Sequence, residues 1–133
     1  MELPIVTLRY LALLALIHSA LAITVVRLRF RLQVAFGDGG HEILRRAIRA
    51  HGNLSEYLPL AVLLVGSLEA LGTNLAAIHL AMALLILARL SHLFSMFNLD
   101  LRSRRYFYSR VFGAGTTWLV ITFSAVALAV AAF

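Results

Sequence analysis

Residues 111–133 carry no charged side chain. The run is long enough to cross a bilayer, which takes about 20 residues. In hydrocarbon every backbone N–H and C=O must be satisfied within the chain, so such a run folds as a helix. Two other stretches, about 4–26 and 75–97, read the same way. In the first, Arg9 can reach the interface along its own aliphatic stem, and His18, mid-span, reads as a histidine bonded to a neighbouring helix. Hydrophobic residues make up 62% of the 133 positions, against roughly 45–50% in a soluble domain. The expected class is therefore an all-α integral membrane protein.

The remaining stretch, about 45–71, is different. Its uninterrupted apolar part, 57–68, is too short to span alone. It follows the polar run Arg49-Ala-His51-Gly-Asn53-Leu-Ser-Glu56-Tyr57-Leu-Pro59. On a helix Arg49, Asn53 and Glu56 are spaced i, i+4, i+7, which sets a cation, an amide and a carboxylate on one stripe, with Arg46 a turn earlier. Pro59 cannot donate to the carbonyl of Ser55, so a bend is expected near Glu56. Hydropathy alone would not make this stretch a span; it becomes one if the stripe faces other helices. Ionisable groups at membrane depth are expensive and read by default as a site. Arg89, His92 and Met96 likewise share a face, at i, i+3, i+7. Glu69, at the other end of the segment beside Gly72-Thr-Asn74, reads as an interfacial residue.

These residues define a polar layer at one membrane boundary: Arg27, Arg49, Asn53, Glu56, Tyr57, Arg89, His92, Arg105 and Arg110. Such a layer suits an anionic ligand that also carries an amine. Arginine binds carboxylates bidentately and stays charged when buried, while Glu56 would take an ammonium or an amide. Other chemistries find no support. There is no Cys, hence no disulfide and no protein thiol. The five His are scattered without metal-ligand spacing, and there is no P-loop, dinucleotide fingerprint or G-x-S-x-G. All twelve basic residues are Arg and the net charge is +6, yet no basic module lies outside the membrane segments, so no nucleic-acid partner is expected. No cleavable signal peptide is expected either, because the first apolar run is too long and its start lacks a clear positive charge. One domain is expected over 1–133, with spans at about 4–26, 45–71, 75–97 and 108–133.

The run Arg49-Ala-His51-x-Asn53-x-x-Glu56-Tyr57-x-Pro59 resembles the second-helix signature of the membrane-associated proteins in eicosanoid and glutathione metabolism, the MAPEG family, here of the bacterial type. Arg89-x-x-His92 resembles that family's third helix at its cytoplasmic end. The resemblance covers the whole chain in length and span order and is sharp over about 45–60. It implies a four-helix transmembrane bundle assembled as a homotrimer, with glutathione as co-substrate between subunits and no metal. By the same resemblance, Arg49, Asn53, Glu56 and Tyr57 are glutathione-binding positions and His51 a further contact. Arg27 is the counterpart of a first-helix Arg, with Arg29 and Arg31 as competitors. His92 stands where relatives carry His or Tyr. Arg105 takes the place of a thiolate-activating Arg, and Arg110 competes for it. Met96 departs from the pattern, since relatives often carry Tyr there.

The function implied is a glutathione transferase-like enzyme of the bacterial inner membrane that conjugates or reduces lipophilic electrophiles entering from the lipid. The loss of a donor at Met96 favours an alternative, a non-catalytic lipid- or glutathione-binding scaffold of the same fold. A small multidrug transporter is a third reading; Glu56 amid Arg46 and Arg49 argues against it. Ten of the twelve Arg fall in two zones, 27–49 and 102–110, which flank the first and third connections. The positive-inside rule puts both zones in the cytoplasm and both termini in the periplasm. A reporter fused at Phe133 is expected to give a periplasmic signal; a cytoplasmic one would reject the four-span topology.

Overall fold

The computed structural model describes residues 3–98 and 100–132. They form four helices in chain order: α1 (Ile5–Leu32), α2 (Glu42–Ala70), α3 (Leu75–Asn98) and α4 (Arg104–Ala132). Among the described residues there is no strand. The helices run past the apolar limits read from sequence, mostly at the basic end. Residues 27–32, 42–44 and 104–107 are helical because a helix satisfies its own backbone wherever hydrocarbon gives way to water. The last residue of the expected 108–133 span, Phe133, and the first two of the expected domain lie outside the described residues. Three of the helices, α1, α3 and α4, are long and apolar enough to cross a membrane. In α2 the charged residues over 42–56 lower the hydropathy, although the helix continues unbroken through Pro59.

Successive helices alternate in direction. α2 packs against all three others, α3 also touches α1 and α4, and α1 and α4 do not meet among the described residues. The core is a seam of Leu14, Ala61, Val65, Met82 and Leu85, all fully buried. Leu16, Leu63, Phe123 and Val130 point outward, the arrangement a lipid-facing surface requires. At one end Tyr10 of α1 meets His79 of α3, Oη to Nδ1 3.2 Å. At the other, Arg46 of α2 donates to the Met96 carbonyl of α3 at 3.2 Å, and Ser91 of α3 donates to the Ser109 carbonyl of α4 at 3.2 Å. The ten zone arginines lie toward this second end. The connection between α1 and α2 is held there by Arg29, whose Nη1 donates to the carbonyls of Val34, Ala35 and Gly37. Asp38 accepts from the Gly40 N–H at 2.9 Å and from Arg45 at 2.6 Å. Those contacts, the backbone one first, hold its carboxyl below the ordinary carboxylate value. Their contribution is therefore present above that ordinary value and fades as pH falls through the lowered one.

Glu69 lies at the end of α2, where the sequence reading set it, and is turned inward. It is buried, at 7% exposure, and its two carboxylate oxygens accept the backbone N–H groups of Val6 and Thr7, each at 2.7 Å. The first turn of a helix leaves N–H groups unsatisfied. Pro4, at the cap position of α1, makes no side-chain cap bond. A carboxylate from α2 supplies the missing acceptor, and its charge suits the positive end of the helix dipole. Glu69→Gln keeps one good acceptor and loses the charge, so about 1.5–3 kcal/mol of stability should go. Hydrogen exchange is expected to accelerate at the Val6 and Thr7 amides while the α3 and α4 amides stay protected.

Candidate functional site

At the basic end, two adjoining cavities share Arg49, Asn53 and Glu56 of α2, His92 of α3 and Arg110 of α4. The smaller, about 250 Å³, is completed by Ile48, Gly52 and Met96. The larger, about 530 Å³, runs along α4 and gains Tyr57, Tyr106, Phe107 and Trp118, with Ala114 and Gly115 as its shallow floor. A polar mouth thus continues into an aromatic and apolar groove. The helical periodicity of α2 produces the polar side, since Arg49, Asn53 and Glu56 follow one stripe. Arg110 is positioned locally: its Nη1 donates to Tyr106 Oη at 3.0 Å, one turn back, with Cζ 5.4 Å from the ring centroid.

Behind this wall sits Arg89, 2% exposed. Its Nη1 donates to Asn53 Oδ1 at 2.7 Å, and its Nη2 to the Gly113 carbonyl at 2.7 Å and to Thr117 Oγ1. Thr117 in turn donates to the Gly113 carbonyl at 2.8 Å. The guanidinium also lies 6.0 Å from the Tyr57 ring centroid. None of these partners is a carboxylate, and Nε has no hydrogen-bond partner among the described residues. Around the cavity the guanidinium groups of Arg49 and Arg110 accompany the lone carboxylate of Glu56 among the lining side chains, with Arg89 behind them, which leaves the site net positive.

Of the residues singled out from sequence, Arg49, Asn53, Glu56, Tyr57, His92 and Arg110 come together here. Arg89 lies behind the wall instead of lining it. Arg105 is exposed on the first turn of α4 and lines neither cavity, and the same holds for Arg27 on α1. His51 turns toward α1, its ring 4.5 Å from that of His18, while His18 Nε2 contacts Ser55 Oγ at 2.9 Å. Ser55 Oγ itself donates to the His51 carbonyl, so the histidine is the donor in that contact. Thr117, Tyr106 and Trp118 were missed. For Thr117 the signal was its place one turn after Gly113, where a hydroxyl and a bare carbonyl can hold one cation together.

The model of the MAPEG family matches residues 7–131. The chain belongs to that family. Inner membrane protein YecN of Escherichia coli (strain K12) is 36% identical to it over 112 residues, covering 84% of this chain and 81% of YecN. YecN of Escherichia coli O6:H1 matches to the same extent. The matched region takes in all the cavity-lining residues, so the polar cavity is built within the MAPEG domain.

Gly113 governs the approach of α3 to α4. A Cβ there would stand 2.8 Å from the Ala88 carbonyl oxygen and 3.0 Å from His92 Cβ, whereas a Cβ at Gly115 would meet nothing within 4 Å. Gly113→Ala must therefore push the helices apart and stretch the bond from Arg89 to the Gly113 carbonyl. Overpacking of this kind costs about 1–3 kcal/mol, while Gly115→Ala should stay within about 0.5 kcal/mol of the parent. Thermal unfolding of the two variants in detergent is expected to separate them in that order.

Proposed function

We propose that this MAPEG protein is a glutathione transferase-like enzyme of the bacterial inner membrane, the compartment named for its relative YecN. The observation that carries the reading is the net positive cavity of Arg49, Glu56 and Arg110, backed by buried Arg89 and continuous with an apolar groove. Glutathione carries two carboxylates and one ammonium, so it supplies the anionic groups this site lacks and one cation for Glu56. A lipophilic electrophile suits the groove along Phe107, Ala114 and Trp118.

The chemistry asked of the protein is modest. A free thiol of this kind titrates near 8.5, and lowering that by two units takes about 2.7 kcal/mol. One guanidinium about 4 Å from sulfur contributes about 4 kcal/mol at an effective dielectric near 20. Arg110 is the better candidate than Arg105 because it lines the cavity. The thiol proton leaves to water, the thiolate attacks the electrophilic carbon, and a leaving group such as chloride departs with the bonding electrons.

We also propose four spans and a homotrimer. In the single chain Arg49 and Glu56 are exposed, and charged groups at membrane depth need cover. The resemblance assigns a first-helix Arg to the ligand, while α1 and α4 do not meet among the described residues of one chain. Arg27 of a neighbouring copy could reach the open side. Met96 in the cavity wall, without the donor that relatives often have there, favours a second reading, a scaffold that binds glutathione without reacting.

Calorimetry on the detergent-solubilised trimer is expected to show glutathione binding, weakened at least tenfold, or about 1.4 kcal/mol, by Glu56→Gln. Arg110→Leu should abolish the thiolate absorbance of the complex and slow conjugation of chlorodinitrobenzene, with Arg105→Leu close to the parent. Binding without thiolate or conjugation would select the scaffold. No binding, or a monomeric mass that still binds, would reject the respective proposal.

A further inference from the structure

We propose that Arg89 is a positioning residue that sets the polarity of Asn53, turning this amide into a dedicated hydrogen-bond donor to a carboxylate or peptide carbonyl of the ligand. The inference rests on the anionic ligand proposed above and gives one wall of its site a defined chemistry. A carboxamide offers a donor at one atom and an acceptor at the other. Which of the two faces a ligand is normally open to rotation of the group by half a turn.

Here it is not open. Arginine has five N–H donors and no acceptor. The Asn53 atom held 2.7 Å from Arg89 Nη1 must therefore be Oδ1, and a flipped amide would set donor against donor beside a buried charge. Arg89 cannot turn away, because its Nη2 is occupied by the Gly113 carbonyl and Thr117 Oγ1 of α4 and the side chain is 2% exposed. Asn53 Nδ2 is then left with two hydrogens and no hydrogen bond among the described residues, on a side chain that lines both cavities. The available N–H groups serve whatever acceptor enters. The same arrangement excludes a ligand that presents a donor, such as an ammonium, at this point, and so leaves the ammonium to Glu56, one turn further along α2. The net result is a directional reading of the ligand: acceptor toward Asn53, cation toward Glu56.

Asn53→Asp separates this role from a merely structural one. The carboxylate still accepts from Arg89, and supplies the counter-charge that guanidinium lacks, but it has no donor left for the cavity. Thermal stability in detergent is expected to equal or exceed that of the parent, while the glutathione Kd by calorimetry rises at least tenfold. An unchanged Kd overturns the proposal, since Nδ2 then reads nothing. The orientation itself is tested without ligand. Asn53→Asp should stabilise the Arg89-containing protein and destabilise the Arg89→Met protein, where the carboxylate stands alone. Equal effects in both backgrounds overturn the proposal. If Arg89→Met does not assemble, Asn53→Leu in the parent replaces it: stability must fall for Leu and not for Asp, and a fall for both overturns the clamp. A parent protein that fails to bind glutathione rejects the proposed function, and the ligand-free comparison then decides whether Arg89 fixes the amide.

Discussion

A guanidinium buried without a carboxylate is the constraint on which the basic half of this bundle depends. Moving an ion out of water carries a penalty of several kcal/mol even after relaxation, and in a membrane protein there is little water to return to. Arg89 offsets it with neutral oxygens only: Asn53 Oδ1 on α2, and the Gly113 carbonyl and Thr117 Oγ1 on α4. Hydrogen bonds to a charged group contribute about 1.5–3 kcal/mol each, so all three partners are needed together. That requirement fixes α2, α3 and α4 relative to one another. It also explains why α4 must carry glycine at 113, since the helix whose carbonyl is used has to approach α3 to within contact of the Ala88 carbonyl.

The two ends of the bundle solve the problem of charge in opposite ways. At the Glu69 end the carboxylate is matched inside the fold by the N–H groups of Val6 and Thr7 and by the helix dipole behind them. The Glu69 carboxylate is thereby satisfied inside the fold. At the other end Arg49 and Arg110 line a space with Glu56 as its carboxylate, and buried Arg89 stands behind the wall. The fold thus matches a buried charge internally at one end and leaves two cations against one carboxylate on a cavity at the other.

Much of this was legible in the chain itself. Three apolar runs marked three of the four helices, the clustering of arginine marked the basic end, and the i, i+4, i+7 spacing of Arg49, Asn53 and Glu56 marked both the remaining helix and one wall of the cavity. Glu69 was not legible because its partners are backbone groups of α1, which no side-chain pattern announces. Arg89 was legible as a site residue but not as one that lies behind the wall. Its spacing from His92 gives a shared helical face, yet where the long side chain ends is set by acceptors on two other helices, Asn53 on α2 and Gly113 and Thr117 on α4. Arg105 and Arg110 differ by five residues, roughly 140° around a helix at 3.6 residues per turn, so only one of them can face a given cavity. The sequence does not reveal which, because that depends on the rotation of α4 set by the Gly113 contact.

The cavity, open on one side in the single chain, is where the proposed trimer would supply cover. Its walls come from α2, α3 and α4, and α1 packs on α2 through the contact of His18 with Ser55 and the tilted approach of the His18 ring to that of His51. His51 is thereby turned away from the cavity that its helix lines with Arg49, Asn53 and Glu56. Arg27 of α1 lines neither cavity. The feature that makes Arg49 and Glu56 costly in a lone bundle, their exposure, is then the feature that a neighbouring subunit would remove.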